Sequence, residues 1–158
     1  MKIEVKKVRP IECGAFEAVE VLVGSVLNSS IRAFFEEFNG GEPVLNFFDV
    51  GDVNGSGVNQ FVPIEAIASE LERFEFRDGF TPIAWAEGGN YVAVDLVGGG
   101  VYFVDHEILD GYIKLSEGID MFLASLRPSS NDDVVLMPEQ VKKAWINPKF
   151  LSGLKDKK

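Results

Sequence analysis

The chain has 158 residues, of which 46% are hydrophobic and 25% are charged, and these values indicate a single globular domain rather than a disordered or membrane-inserted protein. Cys13 is the only cysteine, which excludes an internal disulfide and a cysteine-based zinc site. The net charge of −10 argues against nucleic acid as the main ligand, because an acidic chain repels phosphates, and it favours basic protein partners.

The charge is unevenly distributed along the sequence. Residues 1–9 carry a net charge of +3 and residues 134–158 a net charge of +4, whereas residues 10–133 hold 22 acidic and 5 basic residues, a net charge of −17. The alternative interpretation is that negative charge only keeps the protein in solution. Because the first nine residues lack a secretory apolar stretch and no later run approaches membrane-spanning length, we expect a cytoplasmic protein that binds no membrane.

Helical patterns come first along the chain. Residues 14–26 suit a partly buried helix. A second helix is predicted with Ser30 as its N-cap and with Asn39-Gly40-Gly41 as its stop, because glycine accepts the left-handed backbone that closes a helix. Its apolar side follows the i, i+3, i+4, i+7 rule and comprises Ile31, Phe34, Phe35 and Phe38.

A third helix is predicted to begin at Pro63, whose missing N–H is tolerated in a first helical turn. Its expected buried stripe comprises Ile64, Ile67, Ala68 and Leu71. The glutamates expected outside that stripe are Glu65, Glu70, Glu72 and Glu75. Before this helix, the apolar run over residues 45–50 predicts a strand, and the glycine-rich residues 51–57 predict an exposed loop.

Beyond Gly79 the pattern becomes extended. The β-branched and aromatic runs that predict a four-stranded antiparallel meander are residues 81–86, 91–97, 101–105 and 112–115. Gly98-Gly99-Gly100 is predicted to form the turn of the central hairpin. A phosphate-binding loop would be followed by a helix, and no helix is predicted directly after these glycines. A two-residue turn would place Asp95 opposite Tyr102, and a three-residue turn would place it opposite Phe103.

Ser116 is a predicted N-cap for a final helix that ends at Arg127-Pro128. Its apolar side comprises Ile119, Phe122, Leu123 and Leu126. The elements together predict an α+β fold, an antiparallel β-meander sheet packed with helices, as one domain over residues 1–128. Residues 129–158 are expected to form a C-terminal extension with a short helix over residues 138–145 and a basic tail.

The tripeptide Asp105-His106-Glu107 resembles a catalytic or metal-binding group, since it combines the only histidine with two carboxylates. In a strand, however, Asp105 and Glu107 lie on one face and His106 on the other, so the three would not converge. Residues 52–57 resemble the start of a calcium loop, but Pro63 occupies the position of the bidentate glutamate. We therefore expect no enzyme activity, no metal and no cofactor.

Two further features concern binding. Asp95 is a carboxylate in an otherwise apolar strand, so it needs a hydrogen-bonding partner if buried and marks a polar sheet face if exposed. The aromatic residues Trp85, Phe103 and Tyr112 are expected to face the core or to be half-buried. An aromatic face in contact with water would suit a protein-binding surface.

The order of elements and several motifs are similar to those of the SUKH superfamily, which includes bacterial toxin-immunity proteins and a yeast cell-wall assembly regulator. The resemblance covers residues 14–126 and is carried by residues 34–41 (FFEEFNGG), 61–67 (FVPIEAI), 82–95 and 101–107 (VYFVDHE). It implies a domain that neutralises a toxin by forming a non-catalytic complex. The toxins paired with such proteins are often nucleases or other nucleic-acid-modifying enzymes with basic substrate-binding faces, which the acidic residues 10–133 would complement.

Two alternatives stay open at this point: a scaffold or regulatory module, as in the cell-wall regulator relatives, and a metal-dependent hydrolase that uses Asp105, His106 and Glu107. Under the leading hypothesis the partner is a toxin or another protein, not nucleic acid, and the oligomeric state is open. The residues expected to contact this partner are Trp85, Asp95, Asp105, His106, Glu107, Asp49 and Asp52.

Overall fold

A computed structural model describes residues 3–52 and 54–128, and these residues form an α+β domain, as predicted. The α-helices in this part of the chain are α1 (Ala15–Val23), α2 (Ser29–Phe38), α3 (Ile67–Arg73) and α4 (Ile119–Ser125). A short antiparallel pair consists of β1 (Val5–Lys6) and β2 (Glu42–Pro43). The main sheet comprises β3 (Phe47–Val50), β4 (Asn54–Phe61), β5 (Phe80–Ala86), β6 (Tyr91–Asp95), β7 (Val101–Asp105) and β8 (Gly111–Ser116).

The main sheet is an antiparallel meander in which each strand pairs with the next along the chain, in the order β3-β4-β5-β6-β7-β8. Strands β5 to β8 match the predicted meander, and β3 and β4 extend it. The predicted exposed loop over residues 51–57 is too long: Gly51 and Asp52 form an exposed turn, but β4 begins at Asn54 and pairs with β3. A side chain at Gly55 would collide with the ring of Phe47 on β3, so this glycine serves close strand packing rather than a loop.

The hairpin between β6 and β7 is wider than predicted. Asp95 lies beside Gly100, whose carbonyl accepts its backbone N–H at 2.9 Å, so both predicted partners, Tyr102 and Phe103, are wrong. The reason is the Asp95 side chain, whose Oδ1 accepts a hydrogen bond from the backbone N–H of Val97 at 3.0 Å. This bond turns the chain before the glycines are reached and ends the strand early.

Two helix starts differ from the predicted ones. Asn28 rather than Ser30 caps α2, because its extended backbone lets Oδ1 accept the N–H of Ile31 at 3.0 Å. Ser116 does not cap α4, since it belongs to β8 and its hydroxyl donates to the carbonyl of Gly118 at 2.7 Å. Gly118 is the residue that precedes the first turn of α4.

The main core lies between one face of the sheet and the helices. The expected apolar side of α2 is confirmed, since all four of its predicted residues are buried. The rings of Phe34 and Phe61 meet edge to face at 5.1 Å, and those of Phe48 and Phe122 do so at 5.4 Å. Burying each such ring contributes roughly 1.5–3 kcal/mol, so this core fixes the frame that carries the opposite face of the sheet.

The predicted C-terminal extension, including its helix over residues 138–145, lies outside the described residues. Within residues 3–52 and 54–128, none of the helices has both the length and the apolar character needed to cross a membrane.

Candidate protein-binding surface

The side of the sheet that faces away from the main core carries a second, smaller apolar cluster. Alternation along β6 and β7 sends Val92 and Phe103 into the main core, whereas Tyr91 and Val104 point the other way. We call this side the outer face. Its aromatic residues, including two from the segment after α3 that packs on the sheet, are Phe74, Phe76, Phe80, Trp85, Tyr91, Tyr102 and Tyr112.

The outer-face rings contact one another edge to face. Phe76 lies 5.0 Å from Tyr91, and Phe80 lies 5.1 Å from Tyr112, measured between ring centroids. Trp85 and Tyr112 are half-buried, as predicted, while Phe103 is buried on the other side. The outer face is therefore an aromatic surface in partial contact with water, which is the kind of surface that protein partners bind.

A buried carboxylate supports one end of this surface. Glu70 is 2% exposed, and its Oε2 accepts a hydrogen bond from the hydroxyl of Tyr91 at 2.7 Å. Burial, together with this bond to Glu70, raises the pKa of Tyr91 to about 12. The prediction that Glu70 lies outside the buried stripe and Ala68 within it is wrong. A 3₁₀ turn at Ile64–Ala66 directly precedes α3, and its tighter winding rotates the residues of α3 about the helix axis.

His106 joins the loop after β7 to the turn before β6. Its Nδ1 lies 2.7 Å from Oδ1 of Asn90, and the same oxygen accepts the backbone N–H of His106 at 3.1 Å. Because that oxygen can only accept, Nδ1 carries the proton. A side-chain carbon at Gly89 would lie 3.2 Å from Cε1 of His106, so the ring rests against the backbone of this turn. His106 is thus held in place by structural contacts.

The loop between β7 and β8, residues 106–110, is fixed by a second set of contacts. Nε of Arg77 lies 2.6 Å from Oδ1 of Asp110, and the backbone N–H of Arg77 donates to the hydroxyl of Tyr112 at 2.9 Å. This pairing raises the pKa of the Arg77 guanidinium and lowers the pKa of the Asp110 carboxyl. The guanidinium also lies 4.1 Å from the centre of the Tyr112 ring, a cation–π contact.

Two neighbouring hollows open on the outer face. The first hollow has a volume of about 610 Å³ and lies between residues 74–77 and residues 106–112. The second hollow, of about 380 Å³, is lined by Trp85, Tyr91 and Asn59 among others, and it shares Phe74 and His106 with the first. Both volumes are in the range of natural binding pockets. The pair forms one concave surface divided by Phe74 and His106.

The surroundings of the first hollow are acidic. Residues 72–78 and 105–112 together hold six acidic residues and two arginines, a net charge of −4. Both arginines are paired, Arg73 with Glu70 and Arg77 with Asp110. The surface thus combines an aromatic floor with a negatively charged rim, and it suits a partner that presents basic and apolar side chains.

The predicted contact residues divide into two groups. Trp85 and His106 both line the second hollow, and Asp105, at the end of β7, and Glu107 flank His106 along the chain. Asp95 lies at the opposite end of β6 from Tyr91, where it shapes the hairpin turn.

The two remaining predicted residues line neither hollow. Asp49, on the edge strand β3, pairs with Arg127, and Asp52 lies in the turn after that strand.

The catalytic arrangement of Asp105, His106 and Glu107 is not formed. Oδ1 of Asp105 accepts the backbone N–H of Glu107 at 2.9 Å, whereas the imidazole of His106 turns to Asn90. In the described residues, no group of three or more His, Cys, Asp or Glu side chains is arranged to hold a metal ion. These contacts give the tripeptide a structural role at the end of β7.

The walls of the first hollow were not predicted from the sequence. The signal was present in Phe74-Glu75-Phe76-Arg77, where aromatic and charged residues alternate with the period of two that places rings on one side. Ile108 and Leu109 were also missed, although two apolar residues among carboxylates stand out in a turn. Neither signal shows that the two segments meet.

The structure is an α+β domain in which an antiparallel meander packs helices on one face and leaves an aromatic, acid-rimmed opposite face. The chain belongs to the SMI1/KNR4 family (SUKH-1), whose family model matches residues 10–125. A comparison with curated proteins gave no significant match. The suspected SUKH resemblance is thereby confirmed. At the level of the family, this places the chain among immunity and regulatory proteins. Members of the family are generally not catalysts.

Proposed function

We propose that this chain is an immunity protein that binds a basic, nucleic-acid-targeting bacterial toxin and neutralises it without catalysis. Family membership supports the immunity or regulatory class. The acidic domain supports a basic partner within that class. A binding role is favoured over a catalytic one because the side chains of Asp105 and His106 form local hydrogen bonds, to the backbone N–H of Glu107 and to Asn90.

The pairing of the basic side chains is the observation that carries the proposal. Residues 10–128 contain 20 acidic and 5 basic residues, a net charge of −15. Each of the five basic side chains forms an ion pair with a carboxylate of the same domain; they are Arg32, Arg73, Arg77, Lys114 and Arg127. A basic partner therefore meets cations that are already neutralised and carboxylates that outnumber them fourfold.

Such a domain would act by attraction and coverage. A net negative field steers a basic protein into encounter and raises the association rate, an effect that salt screens. Once bound, the domain would occupy the basic face that the toxin uses to hold nucleic acid, and the substrate could no longer reach that face. No reaction on the toxin is needed.

Co-expression tests the proposal. The adjacent upstream gene, if it encodes a toxin, is expressed with and without this chain, and the proposal predicts that growth is restored only when both are present. An unrelated acidic protein of similar size serves as the control for charge alone. Failure to restore growth, together with failure to isolate a complex, would contradict the proposal.

A regulatory module is the second candidate, because the family also includes regulatory proteins. In that case affinity capture from the source organism would return housekeeping enzymes or assembly factors whose activity changes on binding. Capture of a toxin instead would favour the immunity function.

A further inference from the structure

The loop over residues 106–110 presents two apolar side chains to water. Leu109 is 98% exposed and Ile108 is 59% exposed, and both border the first hollow. Exposed apolar side chains that continue into a concave aromatic surface mark an interaction site more strongly than scattered ones do. Together they form an apolar ridge beside the hollow, which we call the 108–109 ridge.

The ridge is held in a fixed conformation. Asp110 has a φ of +60°, in the left-handed region that non-glycine residues rarely adopt, and its ion pair with Arg77 secures it. A side-chain carbon at Gly111 would lie 2.9 Å from Cβ of Ile108, so the turn closes tightly under the ridge. A loop that keeps a strained residue and still exposes a leucine is pre-organised, which lowers the entropy lost on binding.

The charge around the ridge selects the partner. Glu75 lines the first hollow, and Glu107 immediately precedes the ridge; both side chains are exposed. With a local net charge of −4 over residues 72–78 and 105–112, a second copy of this chain would be repelled at this face. A segment with interleaved basic and apolar side chains fits both the carboxylates and the rings.

We propose that the first hollow and the 108–109 ridge form the docking site for such a segment of the partner protein. Its apolar side chains pack against Leu109 and Phe76, and its lysine or arginine side chains face Glu75 and Glu107. This inference rests on the proposed function and identifies the surface that performs it.

A peptide selection tests the site even while the toxin is unidentified. A random peptide library displayed on phage is selected on the immobilised full chain. The proposal predicts enriched peptides that combine lysine or arginine with apolar residues. Leu109→Ser is expected to weaken their binding by about tenfold or more, since it removes one large apolar contact.

Val97→Ser is the matched control. Val97 is 90% exposed on the turn at the other end of β6, so this substitution removes an equally exposed apolar group away from the hollow. Thermal melts of both variants are expected to match the unmodified chain. Equal binding by all three proteins would overturn the docking site. Enriched peptides without basic residues, or peptides resembling residues 134–158 of this chain, would overturn the assignment to a basic partner.

The growth assay separates the two proposals. Restored growth with the unmodified chain and equal restoration with Leu109→Ser would contradict the docking site and leave the immunity function intact. Without restoration by the unmodified chain, the immunity function would be contradicted, while the peptide selection would still decide whether this surface binds basic segments.

Discussion

The hydroxyl of Tyr91 donates a 2.7 Å hydrogen bond to the carboxylate of Glu70, which is 2% exposed. This bond joins α3 to the outer face of the sheet directly beside the second hollow. Phe74 and Phe76 pack on the ring of Tyr91 at 5.5 and 5.0 Å. The geometry of the candidate surface thus depends on a pair that lies beneath it.

Removing one member of this pair should destabilise the protein. Tyr91→Phe leaves the Glu70 carboxylate with only its contact to Arg73, and we expect a loss of about 1–2 kcal/mol in the free energy of unfolding. Urea unfolding measures this loss. Tyr102→Phe is the control, since Tyr102 lies half-buried on the same face. Equal stability of the Tyr91→Phe variant and the unmodified chain would contradict the role of the bond.

The same pair predicts a loss of stability in alkali. The pKa of Tyr91 rises from an ordinary 10.0 to about 12 in the folded protein, so the neutral phenol is favoured by folding. Its contribution is complete below pH 10 and is lost as the pH rises through about 12. The stability advantage over Tyr91→Phe, followed by urea unfolding at increasing pH, should shrink across this interval. A constant difference between the two proteins would argue against the raised pKa.

Asn39 is expected to be the most sensitive polar position of the core. It is fully buried, its Oδ1 accepts the backbone N–H of Ile64 at 2.7 Å, and its Nδ2 donates to Glu65 at 3.2 Å. Asn39→Ala leaves the Ile64 N–H without a partner, which costs about 2 kcal/mol. Asn59→Ala, at an exposed asparagine bonded to the carbonyl of Ala86, should cost much less. Similar urea midpoints for the two variants would contradict this account.

Thr81 offers a stabilising substitution. Its hydroxyl is buried and has no hydrogen-bond partner among the described residues. Thr81→Val replaces this hydroxyl with a methyl group, and we expect a gain of roughly 1 kcal/mol in the free energy of unfolding. Thr81→Ser keeps the hydroxyl and loses the methyl group, so it should destabilise. A lower melting temperature for Thr81→Val would show that the hydroxyl has a partner.

Gly111 tests whether the ridge is held by a tight turn. A side-chain carbon there would lie 2.9 Å from Cβ of Ile108 and 3.0 Å from its carbonyl oxygen, so Gly111→Ala must open the loop. We expect a loss of about 1–3 kcal/mol in stability and weaker partner binding. At Gly118 a side-chain carbon meets nothing within 4 Å, and Gly118→Ala should cost only a fraction of that. Urea unfolding compares them, and equal losses would contradict the tight turn.

The sequence predicted those features that depend on neighbours along the chain. The apolar side of α2 followed from a local period, because Ile31, Phe34, Phe35 and Phe38 face one direction in any regular helix. The strands β5 to β8 followed from extended runs between glycine-containing turns. These elements, in their order along the chain, indicated the α+β fold class, and the family motifs agreed with it.

Features set by a single side-chain contact were not predictable. Glu70 points inward because a 3₁₀ turn before α3 changes which residues of that helix face the core. The register of the β6–β7 hairpin differs from the predicted one because the Asp95 side chain accepts a hydrogen bond from its own turn. The first hollow requires Arg77 to meet Tyr112, which lies 35 residues further along the chain. Periodicity carries no information on such distant pairs, so the walls of the candidate site emerged only from the tertiary structure.

The central claim is tested most directly by titrating the full chain with the purified product of the adjacent gene. If the active toxin is lethal, an inactive variant of it is used. Calorimetry for the affinity and stopped-flow mixing for the association rate, each at low and at high salt, should show a tight complex that weakens and forms more slowly as salt rises, because attraction between an acidic domain and a basic toxin is screened. Absence of a complex at low salt, or an affinity and association rate independent of salt, would contradict the claim that this domain neutralises a basic toxin.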